Sequence, residues 1–531
     1  MSHRSSSPGL ILAAVCLAAF AINIDTTIVN VALPSLTRQL GAGTRDLQWI
    51  VDGYNLSFAA LVLAAGSLGD RFGRRPALLV GLLGFAAASA AGALCSSPGQ
   101  LIAARFVMGA FAALIFPTTL AVITNTFRDR RERAKAVGAW GAVTGLGVAT
   151  GPVTGGLLLS LWDWPSVFVA LVPVSLLAAF VVYRVVPESR DPATPPLDRL
   201  GLLTATATIG TLVYTIIEAP GRGWSAPASL GGFAAAIVFG IAFVRIELAR
   251  EHPMLDVSLF RLRAFSAASG AVTVSFFALF GFIFLITQYF QFIRGYGTLS
   301  TGVRILPVAL SIGGASVLGA RLVARLGTRA IVSFGLLLFG SAFLWISQAG
   351  TTTSYAIVVV QMALMGSGLG LTSAPATESI LSVLSPEKAG VGSAVNDATR
   401  EAGGTLGVAI IGSVYASLYA SQLAHTAGHY LSTGALRSAK ESVGAGLAIA
   451  THAPSAARGP LLDAVQSSFM SGLHTGCIVA AGVCALGALG ALALPGRQRP
   501  ELLHSAIGQQ QSSQAAPRTP APRARAPVQP S

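Results

Sequence analysis

Fourteen mostly apolar runs, each near the roughly 20 residues a helix needs to cross a bilayer, recur along the chain. They lie near 10–33, 49–68, 77–95, 101–124, 136–161, 165–186, 200–219, 230–249, 266–292, 302–324, 330–349, 355–376, 402–420 and 469–495. The weakest are 200–219, which contains Glu218, and 230–249, which ends in Arg245 and Glu247. The expected fold class is an all-α polytopic membrane protein with 14 transmembrane helices. The first run is too long for a signal-peptide apolar region, and it carries Asn23, Asp25 and Asn30 inside it.

Composition points the same way. Of 531 residues, 53% are hydrophobic and only 11% charged, against about 25% in soluble proteins. A soluble chain this long would form three or four domains, each with a charged surface. The 59 glycines follow no triplet period, which excludes collagen, and four cysteines are too few for a disulfide scaffold. The net charge of +14 is the usual mark of a nucleic-acid binder. Here the arginines sit between apolar runs, so the expected partner is the lipid bilayer and not a nucleic acid.

The basic residues instead report topology. With the N-terminus in the cytoplasm, inner loops and tails hold 26 Lys and Arg, outer loops hold 8, and Arg105 lies within a span. Cytoplasmic loops carry the excess of positive charge. The expectation is a multi-pass protein of the cell membrane with both termini cytoplasmic.

Loop composition divides the chain further. Residues 1–9 form an N-terminal tail, 10–186 a six-helix bundle and 187–199 a polar, proline-rich linker. Residues 200–249 supply two inserted helices, and 250–265 a cytoplasmic loop long enough for a short amphipathic surface helix. A second six-helix bundle covers 266–495, with a long outer loop over 421–468. The Gln-, Ser-, Pro- and Arg-rich tail 496–531 is expected to be disordered. The inner-loop sequences GSLGDRFGRRP (66–76) and GARLVARLGTR (319–329) repeat weakly. Two related six-helix halves separated by an inserted pair would place them so, and internal repeats are common in secondary transporters.

An ionisable residue at the centre of a span costs roughly 2.5–3.5 kcal/mol, so each needs a reason. Asp25 lies in NIDTTIVNVALP (23–34). It either hydrogen-bonds a neighbouring helix or serves as a protonation site facing a cavity, with Asn23, Asn30, Thr26 and Thr27 offering hydrogen bonds beside it. Arg105 lies in LIAARFVMGAFAA (101–113). It either snorkels to the outer edge or provides a fixed positive charge for a nearby carboxyl. In GAVTGLGVATGPVTGG (141–156), Gly147, Gly151 and Gly155 form a small-residue face for close helix approach. Pro152 permits a bend, and Gly156 completes the cluster. Asp70 precedes Arg71, Arg74 and Arg75 at the inner end of the second span. Ordinary inner-side charge explains the arginines but not the Asp, which a facing helix N-terminus could hold as a conformational latch. The ninth span is aromatic; Phe280, Phe284 and Gln288 are cavity candidates. Glu218, Glu378 and the stretch NDATRE (396–401) are weaker candidates.

These motifs resemble the major facilitator superfamily, in its fourteen-helix drug:proton antiporter (EmrB/QacA-like) branch. DTTIVNVALP is similar to that branch's first-span signature. Gly66, Asp70, Arg71, Gly73 and Arg74 match the superfamily's inner-loop motif, Arg105 and Gly109 its proton-coupling motif, and GLGVATGPVTGG its antiporter motif. Asp52, in WIVDGYNL, departs from the pattern and is either an extra protonation site or a substrate-selecting charge. The resemblance implies two bundles rocking around a cavity lined by spans 1, 4, 9 and 12, with Asp70 facing the thirteenth span near residues 393–405. It implies export of amphipathic organic compounds, drugs or antibiotics, in exchange for protons, with self-resistance in an antibiotic producer as one setting.

The alternative cargo is a normal metabolite such as a peptide, siderophore or lipid precursor. A monomer is the expected working unit. No cofactor and no metal are expected: His425, His429 and His452 have unrelated spacings, and no phosphate-binding Gly-x4-Gly-Lys-Ser/Thr loop is present. Enzyme chemistry is not expected either, because the only His near a span, His474, lies at its end.

Overall fold

The computed structural model describes residues 7–190, 198–251, 253–383 and 389–496, except the side chains at 130, 134, 389–391 and 393. The tail 1–9, the linker 187–199 and the tail 496–531 therefore lie wholly or mostly outside the described residues. The described residues are helical throughout and contain no strand. The helices are α1 (Pro8–Leu40), α2 (Thr44–Phe72), α3 (Arg74–Ala93), α4 (Pro98–Thr126), α5 (Arg130–Leu161), α6 (Ser166–Val185), α7 (Arg199–Arg222) and α8 (Pro227–Ala249). Then come α9 (Arg263–Gln288), α10 (Thr298–Leu326), α11 (Thr328–Ile346), α12 (Tyr355–Ser382), α13 (Ala389–Ala427), α14 (Thr433–Glu441), α15 (Val443–His452) and α16 (Ser455–Gly490). All but α14 and α15 are long and apolar enough to cross a membrane, fourteen in number.

Polar side chains cap several of the helix starts. Ser97 accepts from the Gln100 amide, Asp129 from Arg131 and Glu132, and Asp198 from Gly201. These bonds satisfy amides that a helix start leaves unpaired. Glycine ends α1, where Gly41 takes φ +71°.

Three expectations need correction. The loop 421–468 is mostly helix: α13 continues to Ala427, α16 begins at Ser455, and Ser432 and Ser442 cap α14 and α15 between them. The segment 250–263 forms a 3₁₀ turn over Val257–Arg261 in place of a longer amphipathic helix; the Asp256 carboxylate accepts from the Ser258 amide, and the Phe260 carbonyl from the Ser266 hydroxyl. The thirteenth span starts before the charged NDATRE stretch. An apolar window excludes those charges, but the helix continues through them.

The N-terminal half packs through α1 against α5, α2 against α4 and α3 against α6. The C-terminal half repeats this with α9 against α13, α10 against α12 and α11 against α16. The halves meet through α5 with α10 and α2 with α13. α7 lies on the second of these seams, touching both α2 and α13, with α8 behind it.

The contacts between halves gather at one end. Thr298 donates its hydroxyl to the Gly156 carbonyl (3.0 Å), Gln291 donates to the Val31 carbonyl (2.9 Å), and Gln48 bonds to α13. Gly302 backs onto Pro152 so closely that a Cβ there would overlap the Pro152 carbonyl oxygen. Towards the opposite end, which carries Asp70, Gly138, Gly141 and Gly145 of α5 and Gly313 and Gly314 of α10 face open space. The halves are closed at the Gln48 end and splayed at the Asp70 end.

Candidate coupling site and the seam between the halves

Arg105 and Asp25 form an ion pair inside the N-terminal half. Nη1 of Arg105 donates to both Asp25 oxygens, at 2.8 and 2.7 Å, and Nε donates to the Ile50 carbonyl at 3.0 Å. The Tyr54 ring lies 4.4 Å from the guanidinium carbon. Asp25 is fully buried and Arg105 is 2% exposed, so the arginine does not snorkel to the membrane edge. The Coulomb attraction offsets the heavy cost of burying both charges, and removing either partner would strand the other.

Local sequence sets this geometry. Gly109, one turn beyond Arg105, lets α4 lie directly on α2; a Cβ there would overlap Ser57 and the Tyr54 carbonyl. Asp25 is positioned by α1, which α5 clasps. A Cβ at Gly147 would stand 3.0 Å from Asn23 Cβ, and at Gly155 3.1 Å from the Ile28 carbonyl. At Gly151 it would overlap the Thr27 hydroxyl. The small-residue face expected on the fifth span is thus the face that receives α1, and Gly156 turns instead to α10, where a Cβ would lie 2.6 Å from the Thr298 carbonyl.

The remaining candidates separate. Asp52 is fully buried, and neither carboxylate oxygen has a hydrogen-bond partner among the described residues. Asn30 donates to the Thr26 carbonyl and Gln288 to the Phe284 carbonyl, both inside their own helices. Asn30, Asp52, Phe284 and Gln288 are buried in this conformation. Asn23 and Phe280 keep partial exposure. Asp70 pairs with Arg74 at 2.8 Å, within its own corner. Gly73 there takes φ +113°, a conformation that favours glycine, and Gly66 packs on Pro117. Arg71 stacks over Phe72.

Several contributing residues escaped the sequence reading. Tyr54 carries the ring over Arg105, and Gln291 ties α9's end to α1. Gln48 is 1% exposed and sits in the α2–α13 seam. Uncharged residues in apolar helices give no sequence signal of this kind. Glu218, named as a weaker candidate, forms an ion pair with Arg45 at 2.8 Å and so joins α7 to the start of α2.

Comparison with known proteins follows this architecture. Residues 15–408 match the family model described as Major Facilitator Superfamily. The chain is 34% identical over 472 residues to the "Multidrug efflux pump LfrA" of Mycolicibacterium smegmatis, covering 88% of this chain and 93% of that protein. It is 32% identical to the "Tetracenomycin C resistance and export protein" of Streptomyces glaucescens, covering 92% of this chain and 93% of that one. Among solved structures, a bacterial homolog to the human lysosomal transporter Spinster, in an inward-facing and occupied conformation, superposes with TM-score 0.64. That match is 16% identical and covers 93% of this chain and 97% of the other, a likeness of fold. Paired six-helix halves, an inserted helix pair and a family match spanning most of the length lead to one conclusion: this chain, a multi-pass membrane protein, belongs to the Major Facilitator Superfamily.

Proposed function

We propose that the protein is a proton-coupled antiporter that exports amphipathic organic compounds, drugs or antibiotics, from the cytoplasm by alternating access. The observation that carries the reading is the buried Asp25–Arg105 pair beside a seam closed at one end only. The named resistance and export roles of relatives covering most of the chain support the cargo class. With the N-terminus cytoplasmic, the open end faces the cytoplasm, where such cargo would enter.

In this reading Asp25 carries the exchanged proton. Protonation removes its charge, releases Arg105 from Nη1's two bonds, and frees the guanidinium to turn towards another acceptor. Gly147, Gly151, Pro152, Gly155 and Gly156 form the close-packed pivot that transmits the change to the α5–α10 contact. Gly66, Asp70, Arg71, Gly73 and Arg74 form the corner that engages when the cytoplasmic end closes. Asn23 and Phe280 offer polar and aromatic contacts to cargo, while Asn30, Asp52, Phe284 and Gln288 become accessible on rearrangement. One proton moving through about 100 mV supplies about 2.3 kcal/mol, and one pH unit about 1.4 kcal/mol. Together they sustain a gradient of roughly several hundredfold.

The test uses purified protein in vesicles with an imposed pH gradient and ethidium, a fluorescent amphipathic cation, alongside neutral antibiotics. Proton-driven efflux is expected from the parental protein and not from Asp25→Asn. Undiminished proton-driven efflux by Asp25→Asn would remove Asp25 from the coupling role.

A further inference from the structure

One hydrogen-bond chain crosses three helices at the closed end of the seam. Gln48 of α2 directs its side-chain amide at α13, donating to the carbonyls of Val408 (3.2 Å) and Ala409 (3.1 Å) and to the Ser413 hydroxyl (3.2 Å). Ser413 in turn donates to the Ile216 carbonyl of α7 at 2.9 Å. Gln48 and Ser413 are both buried. Gly412 makes the approach possible, since a Cβ there would stand 2.7 Å from Gln48 Nε2.

The link to α7 has a sequence cause. Within a helix the Ile216 carbonyl would accept from the amide of residue 220, but residue 220 is proline and has no N–H. The carbonyl is left seeking a donor inside an apolar cluster of Val213, Ile216, Ile217 and Ala409. Ser413 supplies it. Two further contacts fix α7 across the same seam: Glu218 to Arg45 on the α2 side, and Trp224 Nε1 to Ser417 Oγ (3.1 Å) on the α13 side.

We infer that Gln48 is a positioning residue that latches the Gln48 end of the seam shut, and that the inserted helix α7 is a working part of this gate through Pro220 and Ser413. Hydrogen bonds suit a reversible latch. They hold the halves while dry, and when the end opens, water replaces each lost partner, so opening costs far less than exposing an apolar interface of the same size. The inserted pair is then not a passive appendage. Its Ile216 carbonyl is an acceptor that Ser413 satisfies while the seam is closed. The inference rests on the alternating-access reading above.

The test places spin labels in a background lacking native thiols and reads distances by double electron–electron resonance in vesicles. Ser160 and Ser421, both exposed, report the latched end; Val137 and Leu318, also exposed, report the splayed end. Gln48→Leu removes the donors at similar volume. Its expected effect is a roughly tenfold shift in population towards a longer Ser160–Ser421 distance and a shorter Val137–Leu318 distance. Ser413→Ala is expected to shift it about threefold in the same sense. In a Pro220→Ala background, residue 220 regains its amide, the Ile216 carbonyl is satisfied within α7, and the Ser413→Ala shift shrinks to the part owed to the lost Gln48–Ser413 bond. A general packing defect would not be reduced this way. Parental distances in folded Gln48→Leu, or in Ser413→Ala should Gln48→Leu not fold, overturn the latch while leaving alternating access intact. Parental distances that ignore both ethidium and a pH gradient overturn alternating access itself, and the latch with it.

Discussion

The Thr27 hydroxyl of α1 donates to the Val148 carbonyl of α5 at 3.1 Å. That carbonyl would otherwise pair with the amide of residue 152, which is proline. Pro152 thus leaves an acceptor free in α5, and the helix carrying Asp25 supplies the donor two residues away. Thr27→Val, of nearly the same shape, is expected to cost about 1 kcal/mol of stability, while Thr27→Ser retains most of it. Thermal unfolding in detergent measures the difference. Equal melting temperatures for Val and Ser variants would show that the bond contributes nothing.

Arg105 serves three acceptors at once through a planar fork: two Asp25 oxygens and the Ile50 carbonyl, with its face over Tyr54. A lysine offers a point charge on a shorter reach and cannot hold this set. Arg105→Lys is therefore expected to keep the fold yet lose transport by tenfold or more, roughly the effect of 1.4 kcal/mol or more. Initial efflux rates at matched protein levels check this. Parental rates in Arg105→Lys would mean that charge alone suffices.

Asp52 and Asp25 should respond oppositely to the same substitution. Both Asp52 oxygens are buried without a partner among the described residues, so Asp52→Leu removes an uncompensated polar group and is expected to stabilise the protein by at least about 1 kcal/mol. Asp25→Leu strands Arg105 and is expected to destabilise by roughly 3–5 kcal/mol. Chemical or thermal denaturation of the two variants side by side reads the sign. A residue kept at a cost in stability points to use in the cycle, so Asp52→Leu is also expected to lose transport of some substrates.

The sequence displayed what lipid enforces and hid what helices arrange among themselves. Spans, glycine face and intramembrane charges were legible because hydrocarbon penalises short apolar runs and stray charges, and because α5 and α1 cannot approach without Gly151. The pairing of Asp25 with Arg105 was open, since 80 residues separate them and nothing local joins them. Cavity lining is not legible in the same way: Phe284 and Gln288 are buried here, and one sequence serves several states. Asp70 pairs here with Arg74, a neighbour one helical turn away that the sequence already set beside it. Gln48 left no trace at all, for a glutamine in an apolar helix becomes informative only when the opposite helix is known.

Gly302 and Pro152 provide the sharpest steric probe of the cycle. The Gly302 backbone rests against the Pro152 carbonyl and stands 3.1 Å from Val153 Cα at the position a Cβ would take. A methyl group there meets backbone, which cannot rotate aside, so the closed end of the α5–α10 contact must part to admit it. In the splayed half of the same helices, Gly313 and Gly314 have open space and accept alanine without cost in this conformation. Gly302→Ala is therefore expected to favour the conformation opened at the Gln48 end and to slow turnover by tenfold or more. Gly313→Ala leaves the present conformation unchanged. The Ser160–Ser421 spin-label distance reads the opening: a longer distance is expected with Gly302→Ala and the parental distance with Gly313→Ala. Identical distances and turnover in the two variants would mean that the contact between Gly302 and Pro152 does not gate transport.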